Sequence, residues 1–263
     1  MLGVRVVKIG GNELDRPTWV AECARALKRV EPVVVVHGGG QAVNAWSRRL
    51  NLPVEKRDGL RVTSPEIAEV VEMVLAGPMN RLLVAALRAA GLDAVGLSGV
   101  DGGLLTARAL VGGLGHVGEI ADVRASLLQS LLLARLTPVV APVAPAAGSL
   151  DVPLNVNADH AAAAIAAALR AEELLFVSDV PGVQSDGVVQ PTVAAREIEA
   201  MIELGIATAG MAAKLRAAAA ALAGGVRAVR IGDLDMFENA TAGTRLLAAP
   251  LAPPPSVRAT QPA

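Results

Sequence analysis

Two strand-like runs in this chain end in clusters of glycine: Val4-Arg5-Val6-Val7-Lys8-Ile9-Gly10-Gly11 and Val33-Val34-Val35-Val36-His37-Gly38-Gly39-Gly40. Each runs on into a helix-like stretch. Glycine lets backbone N–H groups converge on an anion with no Cβ in the way, and the following helix turns its positive N-terminus to the same spot. Two such turns in one chain, the first carrying a lysine, point to two anions brought face to face. Of the 24 lysines and arginines only Lys8, Lys28, Lys56 and Lys214 are lysine. A lysine that survives where arginine has replaced nearly all the others marks a site for a compact, strongly hydrated point charge. Lys8 and Lys214 both stand close to glycines, whereas Lys28 and Lys56 sit in charged contexts that read as surface.

Composition removes several classes of function. The 263 residues, 53% of them hydrophobic, suffice for one large α/β unit or two lobes with a proper core. A net charge of -1, an aromatic content of 2% and no tyrosine leave neither a basic surface nor a stacking platform, so no nucleic acid partner is expected. The single Cys23 excludes an intrachain disulfide and points to a reducing, cytoplasmic setting. His37, His116 and His160 are too scattered to read as metal ligands. No signal peptide opens the chain, and the longest apolar stretch, 127–147, is broken by Arg135 and prolines, so no membrane partner is expected.

The elements that must position these groups alternate between β-like runs and Ala/Leu-rich helices, the pattern of a mainly parallel sheet covered on both faces. Strands are expected at 4–9, 32–37, 94–98, 138–143, 173–178 and 227–231. Helices are expected at 17–30, 41–50, 65–76, 79–90, 124–135, 159–170, 194–204 and 210–223. In the third helix Thr63 and Glu66 fit a capping box, Pro65 suits the first turn, and Ile67, Val70, Val71 and Val74 form a stripe for the core or for a subunit interface. The segment 142–153 reads as a loop or hairpin, and the Pro- and Ala-rich tail 249–263 reads as disordered.

Six segments together resemble the motif set of the amino acid kinase family, and within it the branch that acts on acetylated glutamate. They are Lys8-Ile9-Gly10-Gly11, His37-Gly38-Gly39-Gly40, Gly59-Leu60-Arg61-Val62-Thr63, Asn155-Val156-Asn157-Ala158-Asp159, Ser178-Asp179-Val180-Pro181-Gly182-Val183 and Gly210-Met211-Ala212-Ala213-Lys214. The likeness runs from about residue 4 to residue 247. It implies a three-layer αβα sandwich in two lobes. Residues 1–170 would bind the acylated amino acid and dimerise, and residues 171–248 would bind ATP.

The resemblance implies phosphorylation of the γ-carboxylate of N-acetyl-L-glutamate by ATP, in arginine biosynthesis. A carboxylate with a pKa near ~4.3 is already deprotonated at neutral pH, so no general base is required. Catalysis then rests on positioning and on neutralising the migrating phosphoryl group. By resemblance Lys8 meets that group from the acceptor side, Lys214 from the nucleotide side, and Gly10 and Gly11 add N–H donors. Asp159 would lie between the two ammonium groups and organise them; a helix N-cap is its alternative role. For the acceptor, the resemblance assigns Gly39, Gly40, Arg61 and Asn155. For the nucleotide it assigns Gly10, the loop Asp179, Val180, Pro181, Gly182, Val183 and Gln184, and the segment Ile206, Ala207, Thr208, Gly210 and Met211, with Ala209 where the family often has glycine. Magnesium is expected through the ATP phosphates, with no protein ligand.

Arginine-inhibited members of this branch resemble one another in an extra N-terminal helix and a Gly-x-Gly-Thr segment. Here strand-like sequence starts at residue 4 and the corresponding stretch is Thr241-Ala242-Gly243-Thr244. A homodimer without arginine feedback is therefore expected, with the 65–76 helix as its interface. Two other readings stay open: a related kinase for an aminoadipate or glutamate borne on a carrier protein in lysine biosynthesis, and a catalytically silent nucleotide-binding regulator.

Overall fold

A computed structural model describes residues 3–11, 13–57, 59–149 and 152–248; the tail 249–263 lies outside them. Its main sheet takes eight strands, β1 (Arg5–Ile9), β2 (Val33–His37), β3 (Ala94–Ser98), β4 (Thr137–Ala141), β5 (Glu173–Val177), β6 (Thr192–Ala194), β7 (Ala228–Gly232) and β8 (Thr244–Leu247). They lie in the order β6-β8-β7-β5-β1-β2-β4-β3. Every neighbouring pair is parallel except β7–β8. All six expected strands are present, five of them in the parallel run with β7 as the sixth. Sequence reading did not find β6 or β8.

Both faces of this sheet are covered, which is why its inner strands read as unbroken apolar runs. Val6, Val34, Val36, Val140, Leu174, Phe176, Val229 and Ile231 face one core. Val7, Val33, Val35, Val139, Leu175 and Val177 face the other. The helices are α1 (Pro17–Leu27), α2 (Gly40–Arg49), α3 (Pro65–Val74), α4 (Asn80–Ala89), α5 (Ala125–Leu133), α6 (Ala158–Leu169), α7 (Ile198–Glu203) and α8 (Ala209–Ala223). Residues of α5, α6 and α8 fill the first core, and residues of α1 to α4 the second. The expected three-layer αβα sandwich is what forms. The sheet runs unbroken across the expected boundary at residue 170, because β1 pairs with β5 along its whole length.

Two details of α3 differ from expectation. Its N-cap is Ser64, whose hydroxyl accepts from the Ile67 N–H at 3.3 Å, and not Thr63. Thr63 is fully buried, and its hydroxyl donates to the Arg61 carbonyl and accepts from Asn155 Nδ2, so it is engaged away from the helix N-terminus. The stripe Ile67, Val70, Val71 and Val74 belongs to the core of the same chain. The helical run Pro65–Ala89 is long and apolar enough to cross a bilayer by length and composition. It breaks from helical geometry at Gly77, and α4 also sends Leu83 and Leu87 into the second core.

A second, four-stranded sheet was not foreseen. It pairs Leu105–Ala109, Val117–Val123, Leu154–Val156 and Val143–Ala144 in that order. A bridge between Thr63 and Gly115 joins it to the segment bearing Arg61, and its third strand carries Asn155.

Candidate active site

Strands β1 and β2 are adjacent, parallel and in register, with Ile9 opposite His37. Both glycine turns therefore leave the same sheet edge side by side. The Gly38 N–H donates to the Ile9 carbonyl at 3.0 Å, and that of Gly10 to the Val177 carbonyl at 3.1 Å. A Cβ on Gly11 would stand 2.6 Å from the Gly39 nitrogen and 3.1 Å from that of Gly40. No side chain fits between the two turns, so Gly11 is required by close approach.

Lys8, near the end of β1, is 5% exposed, and its Nζ lies 2.9 Å from Asp159 Oδ1 in an ion pair almost out of water. Asp159 comes from the first turn of α6. The cap of that helix is Asn157, whose Oδ1 accepts from the N–H groups of Asp159 and His160 at 2.8 and 3.4 Å. The capping alternative for Asp159 is thereby corrected: Asn157 takes the cap and leaves the carboxylate free for Lys8. Lys214, on α8, is half-buried, and its Nζ reaches its own Gly210 carbonyl at 3.5 Å. Burial and then the charge of Lys8 pull its pKa below the usual lysine range, while Asp159, Glu13 and Asp179 oppose that pull.

A cavity of about 310 Å³ opens above these groups, and Lys8, Gly11, Gly39, Gly40, Arg61, Asn155, Asp159 and Gly210 all line it. Arg61 follows from a short hairpin, Lys56–Arg57 with Leu60–Arg61, and is 7% exposed. Its Nη2 donates to the Gly40 carbonyl at 3.1 Å and to Asn44 Oδ1, while its buried Nη1 has no hydrogen-bond partner. Burial lowers its pKa. A buried guanidinium with a spare donor is a receptor for a carboxylate. Asn155 Nδ2 donates to Thr63 Oγ1 at 3.3 Å, which ties the second sheet to the Arg61 segment.

His37 holds the second turn from behind. Its pKa falls to about 4 through burial, and the neutral ring lies 2.9 Å from the Gly38 carbonyl through Nδ1 and 3.1 Å from Asn80 Nδ2 through Nε2. Those contacts fit a proton on Nδ1, with Nε2 accepting from Asn80. Sequence reading passed over Asn44, Asn80 and Glu13, which carry no spacing signal. Lys56, read as surface, is exposed, and it also borders the cavity beside Arg61.

The segments expected to meet a nucleotide lie to one side. Asp179 is exposed just beyond β5, and Val180, Pro181, Gly182, Val183 and Gln184 lead into the hairpin Gln184–Ser185 with Val188–Val189. Val183 and Ala207 are core residues, so a ligand could meet only their backbone; the Val183 N–H is itself given to Thr244 Oγ1 at 2.8 Å. Ile206 is partly exposed, Thr208 precedes α8 as its cap residue, and Met211 packs against the first core. Of this set Gly210 alone borders the cavity, and Gly10 lies behind it.

The sequence profile of the amino acid kinase family matches residues 3–233. An acetylglutamate kinase of Chloroflexus aurantiacus is 44% identical over 250 residues, covering 93% of this chain and 97% of its own. One of Bacillus thuringiensis is 45% identical over 237 residues, covering 89% and 91%. The crystal structure of smu.665 from Streptococcus mutans UA159 superposes with a TM-score of 0.82 at 30% identity, over 94% of this chain and 99% of that one. With its six motifs in order, its paired glycine turns and relatives that match it nearly end to end, the chain belongs to the amino acid kinase family.

Proposed function

We infer that this protein is an acetylglutamate kinase, which transfers the γ-phosphoryl group of ATP to the γ-carboxylate of N-acetyl-L-glutamate in arginine biosynthesis. The observation that carries the site assignment is the buried Lys8–Asp159 pair, set where the two glycine turns meet and in one cavity with the unpaired Nη1 of Arg61. Arg61 grips the α-carboxylate of the acceptor, with Asn155 beside it. The Gly39 and Gly40 N–H groups receive the reacting end. Lys8 stands over the path between acceptor and donor, and Asp159 fixes its ammonium. Lys214 and the Gly11 N–H take the ATP phosphates, while the Gly10 N–H, already given to the Val177 carbonyl, holds the turn in place behind them, and the segments 179–184 and 206–211 receive the nucleoside.

The acceptor enters as a carboxylate, so the site has only to align two anions and offset their repulsion. Magnesium, carried by the ATP phosphates, would supply charge neutralisation there. The two lysines would contact phosphate oxygens rather than the metal, since an ammonium group has no lone pair to offer a cation. The acceptor would lie on residues of the first 170, and the nucleotide on those of 171–248 except where its phosphates meet the Gly11 turn. A homodimer would use the outer side of α3, where Met73 is 46% exposed, because the inner stripe is spent on the core. A cytoplasmic setting agrees with the lone buried Cys23.

Trapping the acyl phosphate with hydroxylamine tests this reading, using purified protein, ATP, magnesium and a panel of acidic acceptors. N-acetyl-L-glutamate is expected to exceed free glutamate by roughly a hundred-fold, since glutamate would leave an unpaired ammonium beside Arg61. Equal use of the two would overturn the acceptor assignment. Activity on a carrier-linked substrate alone would move it to the lysine-biosynthetic reading.

A further inference from the structure

The stretch Thr241-Ala242-Gly243-Thr244 leads into β8, and its last residue is fully buried. Gly243 brings it there. Its φ is +82°, and a Cβ would stand 2.8 Å from the Ile231 carbonyl oxygen, so a left-handed residue without a side chain sets the register in which Thr244 pairs with Ile231 of β7. Strand pairing takes only the backbone of Thr244. Its hydroxyl serves two groups of another element: the Val183 N–H donates to Oγ1 at 2.8 Å, and Oγ1 donates to the Gln190 carbonyl at 2.6 Å.

Those two groups are ones that a hairpin ordinarily joins directly. Gln184 pairs with Val189 and Ser185 with Val188 across an Asp186-Gly187 turn, both of whose residues have positive φ, 52° and 78°. The next rung outward sets Val183 against Gln190, and an antiparallel rung of this kind exchanges two N–H···O bonds. One is made, from the Gln190 N–H to the Val183 carbonyl at 2.8 Å. The other runs through the Thr244 hydroxyl, inserted between the Val183 N–H and the Gln190 carbonyl. Gly182 closes on the same hydroxyl, since a Cβ there would stand 2.7 Å from Oγ1 and 3.3 Å from the Thr244 nitrogen.

On the kinase reading given above, we infer that Thr244 is a positioning residue for the nucleotide: its hydroxyl clamps the root of the 183–190 hairpin to the main sheet and so holds the segment 179–184 where the nucleoside rests. That segment is fixed at its first end by β5, where the Ser178 N–H donates to the Gly232 carbonyl at 2.8 Å. Thr244 fixes its second end. Removing the hydroxyl leaves the buried Val183 N–H without a partner or draws the two sides of the hairpin together by the width of one oxygen atom, and either displaces the segment.

Calorimetric titration of the full chain with ATP, and separately with N-acetyl-L-glutamate, tests the inference without requiring turnover. Thr244→Val keeps the branched shape and the strand pairing and removes only the hydroxyl. It is expected to weaken ATP binding by about ten-fold and leave N-acetyl-L-glutamate binding unchanged. Thr244→Ser keeps the hydroxyl and should bind ATP as the parent does. Thr244→Ala carries the same expectation as the valine variant and serves if that variant does not fold. Parent-like ATP affinity without the hydroxyl, an equal loss of both ligands, or a serine variant as weak as the valine one overturns the inference alone. Failure of the unmodified protein to bind ATP overturns the kinase reading and this inference together.

Discussion

The Lys8 ammonium and the Asp159 carboxylate meet at 2.9 Å with side chains 7% and 8% exposed, joining the end of β1 to the first turn of α6. Breaking a buried pair by removing one partner costs more than losing an exposed one, because the other charge stays behind uncompensated. Lys8→Arg should therefore cut kcat by several hundred-fold or more with little change in ATP binding, since a bulkier planar cation cannot place its charge at the same point. Asp159→Asn should lower kcat more than it raises either KM. Steady-state kinetics with separate ATP titrations check both. Near-normal turnover in Lys8→Arg would make the lysine a structural residue only.

Arg61→Ala should act on one substrate alone. It removes the buried guanidinium whose Nη1 lacks a protein partner, so KM for N-acetyl-L-glutamate should rise by roughly a hundred-fold while KM for ATP stays close to normal. Parallel changes in both constants would argue for collapse of the hairpin rather than loss of a carboxylate contact.

Gly11→Ala tests the close approach of the two turns. The added methyl would fall 2.6 Å from the Gly39 nitrogen, and neither backbone can retreat without breaking the β1–β2 pairing. A loss of about 1–3 kcal/mol in stability is expected by urea denaturation, with turnover down by roughly a hundred-fold because both turns are displaced together. Unchanged stability would show that the turns can part.

His37 gives the fold a pH dependence of known sign. The ring titrates near 6.5 when unfolded and near about 4 when folded, so between those values the unfolded chain binds the extra proton. Its contribution is whole above pH 6.5 and is lost as pH falls toward 4, about 3 kcal/mol in all. His37→Asn should be less stable at neutral pH and show a flatter fall in unfolding free energy across that window. Equal slopes for variant and parent would refute the buried neutral ring.

The elements that sequence made legible are those with one dominant signal. β1, β2 and β5 are buried on both faces and read as continuous apolar runs, and α3 shows a clean stripe. The second sheet was hidden because its strands mix buried and exposed positions with glycine and charge, as in Val117-Gly118-Glu119-Ile120-Ala121-Asp122-Val123. Caps were missed where two good candidates stand close together, Thr63 beside Ser64 and Asn157 two residues before Asp159; backbone geometry decides between them. The lysines and glycines of the site were legible by their scarcity and clustering. Glu13 and Asn44 were not, since burial and through-space charge leave no mark in spacing.

The floor of the cavity is a fixed gauge. Both glycine turns spring from neighbouring strands whose separation is set by an unbroken ladder from Arg5–Val33 to Ile9–His37, and Gly11 is already in contact with Gly39. A ligand resting on one turn and a ligand resting on the other therefore have a spacing that the sheet dictates and that no hinge in the floor can alter. Any motion that brings such ligands together would have to come from elements other than these two turns.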